Sequence, residues 1–196
     1  MGLISNGTTI FDNGAMASGF GGSLVFISSA TASASASIEF TLGSYKEYKF
    51  FFVNIHPSTD NVNFTVNFST DNGSNYYVTK TTTFFRANHY ENGTGGSVSY
   101  EAGQDLAQST NEQNLMNAFG ADADQNAGGY LQLFNPSSTT FVKHFIAVTS
   151  GTQDDNSVRV PYVAGYANTT SALTNIRFKM SSGNIDDGTI YMFGVN

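Results

Sequence analysis

The stretch Val62-Asn63-Phe64-Thr65-Val66-Asn67-Phe68-Ser69 places an apolar side chain at every second position. Side chains alternate between the two faces of a strand, so this pattern reads as a half-buried β-strand. It runs into Thr70-Asp71-Asn72-Gly73-Ser74-Asn75, where Asn-Gly supplies the positive φ angles of a tight turn. Tyr76-Tyr77-Val78-Thr79 then reads as the start of the return strand of a hairpin. Working outward, further strands are expected over residues 24–28, 32–42, 45–55, 81–87, 97–101, 129–134, 140–148, 158–166, 175–180 and 189–195, most of them bounded by Gly, Asn, Asp or Pro. Many short strands with frequent turns predict an all-β antiparallel sandwich, jelly-roll-like in its arrangement, with at most one short helix. That helix is expected within 104–119, where Leu106, Leu115, Met116 and Phe119 break the alternation and Asn111 is placed to cap a turn over 112–117.

The composition fits one sandwich domain. The chain has 196 residues, 40% hydrophobic and 14% aromatic, with 17 Phe and 10 Tyr. Each ring can bury roughly 150–250 Å², which is ample for a core and excludes a disordered chain. Only 12% of residues are charged, against about a quarter in ordinary soluble proteins, so neutral Ser, Thr and Asn must solvate the surface. Eight Lys and Arg scattered singly under a net charge of −7 form no basic face, and nucleic-acid binding is not expected. The N-terminal stretch has neither a basic n-region nor a long apolar run, so membrane insertion is not expected either. The absence of cysteine removes disulfides, thiolate metal sites and thiol nucleophiles.

Residues 1–22 precede the first convincing strand and carry five Gly without periodicity in SNGTTIFDNGAMASGFGG, yet include Ile4, Ile10, Phe11, Met16 and Phe20. A purely solvating tail needs no such side chains, so this segment reads as a docking arm in front of a sandwich domain over 23–196. The run Ala32-Ser33-Ala34-Ser35-Ala36-Ser37 has small side chains on both faces. It reads either as a sheet edge pressed against a neighbouring subunit or as an exposed low-complexity edge.

Chemistry-bearing motifs are sparse. Asp122, Asp124 and Asn126 stand at alternate positions, as at the start of a calcium loop, but Ala127 occupies the place of the turn glycine and Leu133 that of the closing bidentate Glu. A metal held there needs ligands from elsewhere. His56, His89 and His144 read as structural. The turn-borne acids nominate no pair for glycoside hydrolysis, and there is no nucleophile elbow, phosphate loop or zinc-protease motif. Tyrosines near segment ends, Tyr76, Tyr77 and Tyr130 foremost, are candidate stacking platforms for sugar rings.

The segments FFVNIHPSTD (51–60), LFNPSSTTFVKHF (133–145) and NTTSAL (168–173), with the ending IRFKMSSGNIDDGTIYMFGV (176–195), resemble a family of structural proteins of tailed phages that infect marine bacteria, including cyanobacteria. The ending is similar to the final hairpin of such virion β-domains, and the resemblance spans roughly the whole chain. It implies a non-enzymatic, oligomeric β-sandwich on the virion, in a tail or head-decoration position, without cofactor. The expected partners are further copies of the chain, as a homotrimer, and a capsid or tail protein that receives the arm. The alternative is a tail-tip adhesin that recognises host-surface glycans.

Overall fold

The computed structural model describes residues 3–5, 8–12, 15–16 and 24–195. Among them there is no helix. The N-terminal segment contributes three short strands, β1 (Leu3–Ser5), β2 (Thr8–Asp12) and β3 (Ala15–Met16), which form a small antiparallel sheet of their own. The sandwich is built from β4 (Leu24–Thr31), β5 (Ile38–Thr41), β6 (Glu47–Pro57), β7 (Val62–Ser69), β8 (Lys80–Tyr90), β9 (Ser97–Tyr100), β10 (Gln113–Phe119), β11 (Ala127–Phe134), β12 (Lys143–Thr152), β13 (Ser157–Ala167), β14 (Asn175–Met180) and β15 (Ile185–Val195).

Two antiparallel sheets pack together. The smaller has the order β10-β7-β14-β5, the larger β4-β15-β6-β11-β12-β13-β8-β9. The four strands β4-β15-β6-β11 and the four of the small sheet interleave along the chain as in a jelly roll. Strands β8, β9, β12 and β13 extend one sheet to twice the width of the other. The alternation of β7 drives the packing: Val62, Phe64, Val66 and Phe68 are buried and meet the inward rings of β6. Phe178 of β14 lies 5.5 Å from Phe50, 5.3 Å from Phe52, 6.0 Å from Phe64 and 6.5 Å from Phe40, centroid to centroid. These edge-on, tilted and stacked ring contacts form the centre of the core.

Three local expectations are corrected. The turn at 70–75 forms, with Asn72 at φ 58° and Gly73 at φ 82°, and Asp71 accepts from the Asn75 backbone N–H at 2.9 Å and from the Ser69 hydroxyl at 2.6 Å. The hairpin does not. β7 pairs with β10 and β14, while β8 joins β13 and β9 in the other sheet. The outward amide of Asn67 donates to the carbonyls of Tyr76 (2.9 Å) and Thr110 (3.1 Å), which holds the returning chain over β7 rather than beside it.

The helix expected within 104–119 is instead a strand from Gln113 onward. Its register shifts at Asn114/Met116 and Met116/Phe119, and Ala118 has φ 50°. Bulges of this kind break the two-residue period and leave Leu115, Met116 and Phe119 all buried. The run 32–37 is not part of a regular strand over 32–42; it links the edge strands β4 and β5. Ala32, Ala34 and Ser35 donate to the carbonyls of Gly188, Asp186 and Ile185, so the small residues let the chain cross from one sheet to the other against β15.

Candidate binding surface

Three consecutive rings at Phe50-Phe51-Phe52 cannot all face the core of a strand. Phe50 and Phe52 are buried, and Phe51 is turned to the outer face of the large sheet. The same geometry puts Phe84 inside and Phe85 outside on β8. Register then aligns the outward residues across seven strands: Tyr191 opposes Phe51, Phe51 opposes Tyr130, Tyr130 opposes Val148, Val148 opposes Tyr162, Tyr162 opposes Phe85, and Phe85 opposes Tyr100. Six of the seven positions in this transverse stripe are aromatic.

The stripe is open to solvent. Tyr191 is 37% exposed, Tyr162 41%, Phe85 43% and Tyr100 56%. Phe85 and Tyr162 stack in parallel, with centroids 5.0 Å apart and planes at 4°. A shallow depression of about 220 Å³ opens beside them, lined by Phe85, Ile146, Tyr162 and Ala164 among others. At the other end Phe193 packs edge-on against Phe51 (5.6 Å) and Phe26 (5.5 Å), which extends the apolar surface to β4. Charge is sparse along the stripe, with Lys49 opposite Phe193 and Glu47 held by the Gln132 side chain at its flank.

A second feature lies at one end of the large sheet. Asn54, in the left-handed region at φ 53°, forms a bulge in β6 that disturbs the pairing with both β11 and β15. Opposite it Gly188 has φ 109°, and a Cβ there would meet the Asn54 carbonyl, so glycine is required. The irregular pairing exposes Asp186 and Asp187 in succession and opens a cleft of about 540 Å³, whose walls include Asn54, His56, Asp124, Asn126, Asp186 and Asp187. His56 Nε2 lies 3.3 Å from the Asp122 carbonyl oxygen and Nδ1 3.7 Å from the Asp186 carboxylate. The loop carrying Asp122 and Asp124 is organised by buried Gln125, which accepts from the Asp122 N–H and donates to the Gln153 carbonyl. Among the described residues no three His, Asp or Glu side chains converge to hold an ion. The cleft presents hydrogen-bond acceptors suited to a hydroxyl-rich ligand.

The sequence-derived candidates therefore fall in separate places. Tyr130 belongs to the stripe. Asp124 and Asn126 line the cleft, whereas Asp122 faces it with its carbonyl. Tyr77 is 59% exposed. Tyr76 lies across the small sheet's outer side: its hydroxyl donates to Glu39 at 2.9 Å and the Arg177 guanidinium sits 4.2 Å above its ring. Desolvation, then the Glu39 hydrogen bond, raises its pKa well above the ordinary tyrosine value. Ile4 is 61% exposed on β1. Ile10, Phe11 and Met16 fall in β2 and β3, but their side chains, and Phe20 altogether, lie outside the described residues. Phe51, Phe85, Tyr100, Tyr162 and Tyr191 escaped the sequence reading, although doubled and tripled aromatics inside a strand were the signal that some must point outward.

Comparison with family models, with curated proteins and with solved structures yields no match.

Proposed function

We propose that this protein is a non-enzymatic structural component of a bacteriophage virion, a jelly-roll building block that associates with copies of itself through the aromatic stripe. The stripe is the observation that carries this reading. Its exposed rings leave on the order of 500 Å² of aromatic surface in contact with water, a large share of the ~800 Å² each partner contributes to a standard interface. A monomer gains nothing from that exposure, and the depression beside Phe85 and Tyr162 has the shape of a pocket for an anchoring side chain. The sparse charge is in keeping with such a contact, because neutral amides and hydroxyls at the rim are cheaper to desolvate than ions.

In this reading the oligomer is a homotrimer and residues 1–22 attach it to a capsid or tail protein. The purified chain should sediment as an oligomer, and the double variant Phe85→Asp/Tyr162→Asp should sediment as a folded monomer. Labelled protein should be found on intact particles, and deletion of residues 2–22 should leave the sandwich folded but absent from them. An oligomer that persists with both aspartates in place would defeat the stripe as its interface.

A second reading, a glycan-binding adhesin, draws on Tyr130 in the stripe and on the acceptor-rich cleft around His56 and Asp186. Binding on a glycan array that is lost in Tyr130→Ala or Asp186→Ala would favour it over pure assembly.

A further inference from the structure

Lys80 is fully buried at the start of β8, and its Nζ donates at 2.6 Å to Oδ1 of Asn67 and at 2.7 Å to the Val78 carbonyl. Asn67 is itself 1% exposed. Its amide is clamped: the Nδ2 hydrogens go to the carbonyls of Tyr76 and Thr110, and Oδ1 also accepts from the Phe68 backbone N–H at 2.9 Å. Two residues beyond Thr110 stands Glu112. Its Oε1 accepts from Arg177 at 2.7 Å, while Oε2 is buried and has no partner among the described residues. An amine and a side-chain amide thus meet in a site shielded from water, and the Glu112 carboxylate, near enough to act electrostatically on Lys80, keeps a spare oxygen.

We propose that Lys80 and Asn67 join in an intramolecular isopeptide bond, with Glu112 relaying the proton, so that the mature chain carries a covalent link from β7 to β8. Nζ adds to Cγ of Asn67, and the carbonyl electrons move to Oδ1, where the Phe68 N–H stabilises the developing charge. The proton lost by Nζ passes through the Glu112 carboxylate to Nδ2. The Cγ–Nδ2 bond then breaks, the carbonyl re-forms, and Nδ2 leaves as ammonia. Nothing is oxidised or reduced, and no co-reactant is consumed.

Two properties of the site favour the step. Burial pushes the Lys80 pKa down to about 8, opposed by Glu112, so a neutral, nucleophilic amine is accessible near physiological pH. The contact already holds the amine against the amide, which removes most of the entropic cost of a bimolecular encounter. Lys143 provides an internal contrast. It is equally buried, but its Nζ donates to the backbone carbonyls of Thr169 and Ser171, with no side-chain amide in reach.

Intact mass spectrometry of the purified full chain tests the proposal. The expected mass, after allowance for removal of Met1, is that of the sequence less one ammonia. After denaturation trypsin should cut after Lys143 but not after Lys80, leaving residues 50–86 as one peptide closed by the new bond. The full sequence mass would overturn the proposal. So would an ammonia loss that maps to a succinimide at Asn72-Gly73 or Asn92-Gly93 while Lys80 is cleaved normally. Glu112→Gln, nearly isosteric, should fold and keep the full mass; a folded Glu112→Gln chain that still loses ammonia removes Glu112 from the reaction. Lys80→Met should likewise keep the full mass, and if it does not fold, the wild-type peptide map still decides.

Discussion

The two outer faces of the sandwich obey the same alternation and end in opposite chemistry. On the small sheet the outward positions are Asn63, Thr65, Asn67 and Ser69 on β7, Glu39 and Thr41 on β5, and Asn175, Arg177 and Lys179 on β14. The returning chain and the loop before β10 lie over part of that face, and side-chain networks knit it together. Arg177 bridges Glu112 and the Tyr76 ring, and Tyr76 reaches Glu39. On the large sheet one transverse row of the corresponding positions is rings, and at its end the Tyr100 hydroxyl donates to Asp105. The polar outer face is covered by its own chain, and the aromatic outer face is the one that the proposed self-association would cover. Period-two patterning tells which residues turn outward, and the outward side chains themselves tell whether water or protein is meant to meet them.

The contrast can be broken from its shared inner side first. Phe178 sits among Phe40, Phe50, Phe52 and Phe64 and is fully buried, so Phe178→Ala should cost ~3–5 kcal/mol in urea unfolding whatever happens at the outer faces. Next, Tyr162→Asp alone should weaken self-association by ~2 kcal/mol or more in sedimentation equilibrium. Its effect on the stability of the dissociated chain should stay within about 1 kcal/mol, because the side chain is half exposed. Arg177→Ala on the polar face should do the reverse: a loss of ~1–2 kcal/mol in stability, from the Glu112 pair and the Tyr76 contact, with association unchanged.

The smallest effect belongs to Asp71, whose carboxyl is held below its ordinary range first by the Ser69 hydroxyl and then by Asn75. A group with a depressed folded pKa binds fewer protons folded than unfolded. Its contribution is therefore complete above the usual carboxylate range and lost as pH falls through the folded value. Acid titration of stability should show a slightly shallower slope in Asp71→Ala than in the wild type.

Much of the sandwich was legible in the chain. Val62–Ser69 and Asn175–Met180 coincide with the expected strands, and the Asn72-Gly73 turn has the backbone its residues demand. Pairing was not legible, because a turn dictates a reversal and not a neighbour: the amide of Asn67 and the needs of the other sheet decided where Tyr76–Thr79 went. β10 read as helix because two bulges gave its apolar residues a spacing that alternation forbids. The stripe was half legible. Tyr130 is legible, but the alignment of six rings depends on the register of six ladders, three of which join strands far apart in the chain. Asp122, Asp124 and Asn126 were noticed as a spaced set, and the cleft they border is made as much by Asn54 and Asp186-Asp187, which only folding brings near.

The placement of β14 and β15 bears on how the molecule is made. β14 lies between β5 and β7, and β15 between β4 and β6. Both are interior strands supplied by the last part of the chain. A nascent chain on the ribosome can thus assemble hairpins such as β11–β12 and β12–β13, but the edge strands β4 and β5 stay detached from their sheets until residues 175–195 emerge. The final insertion closes ladders across more than a hundred residues of sequence, from Val195 back to Leu24. Such long-range closure makes for slow maturation, and a chain halted before Asn175 would display two unpaired seams at once.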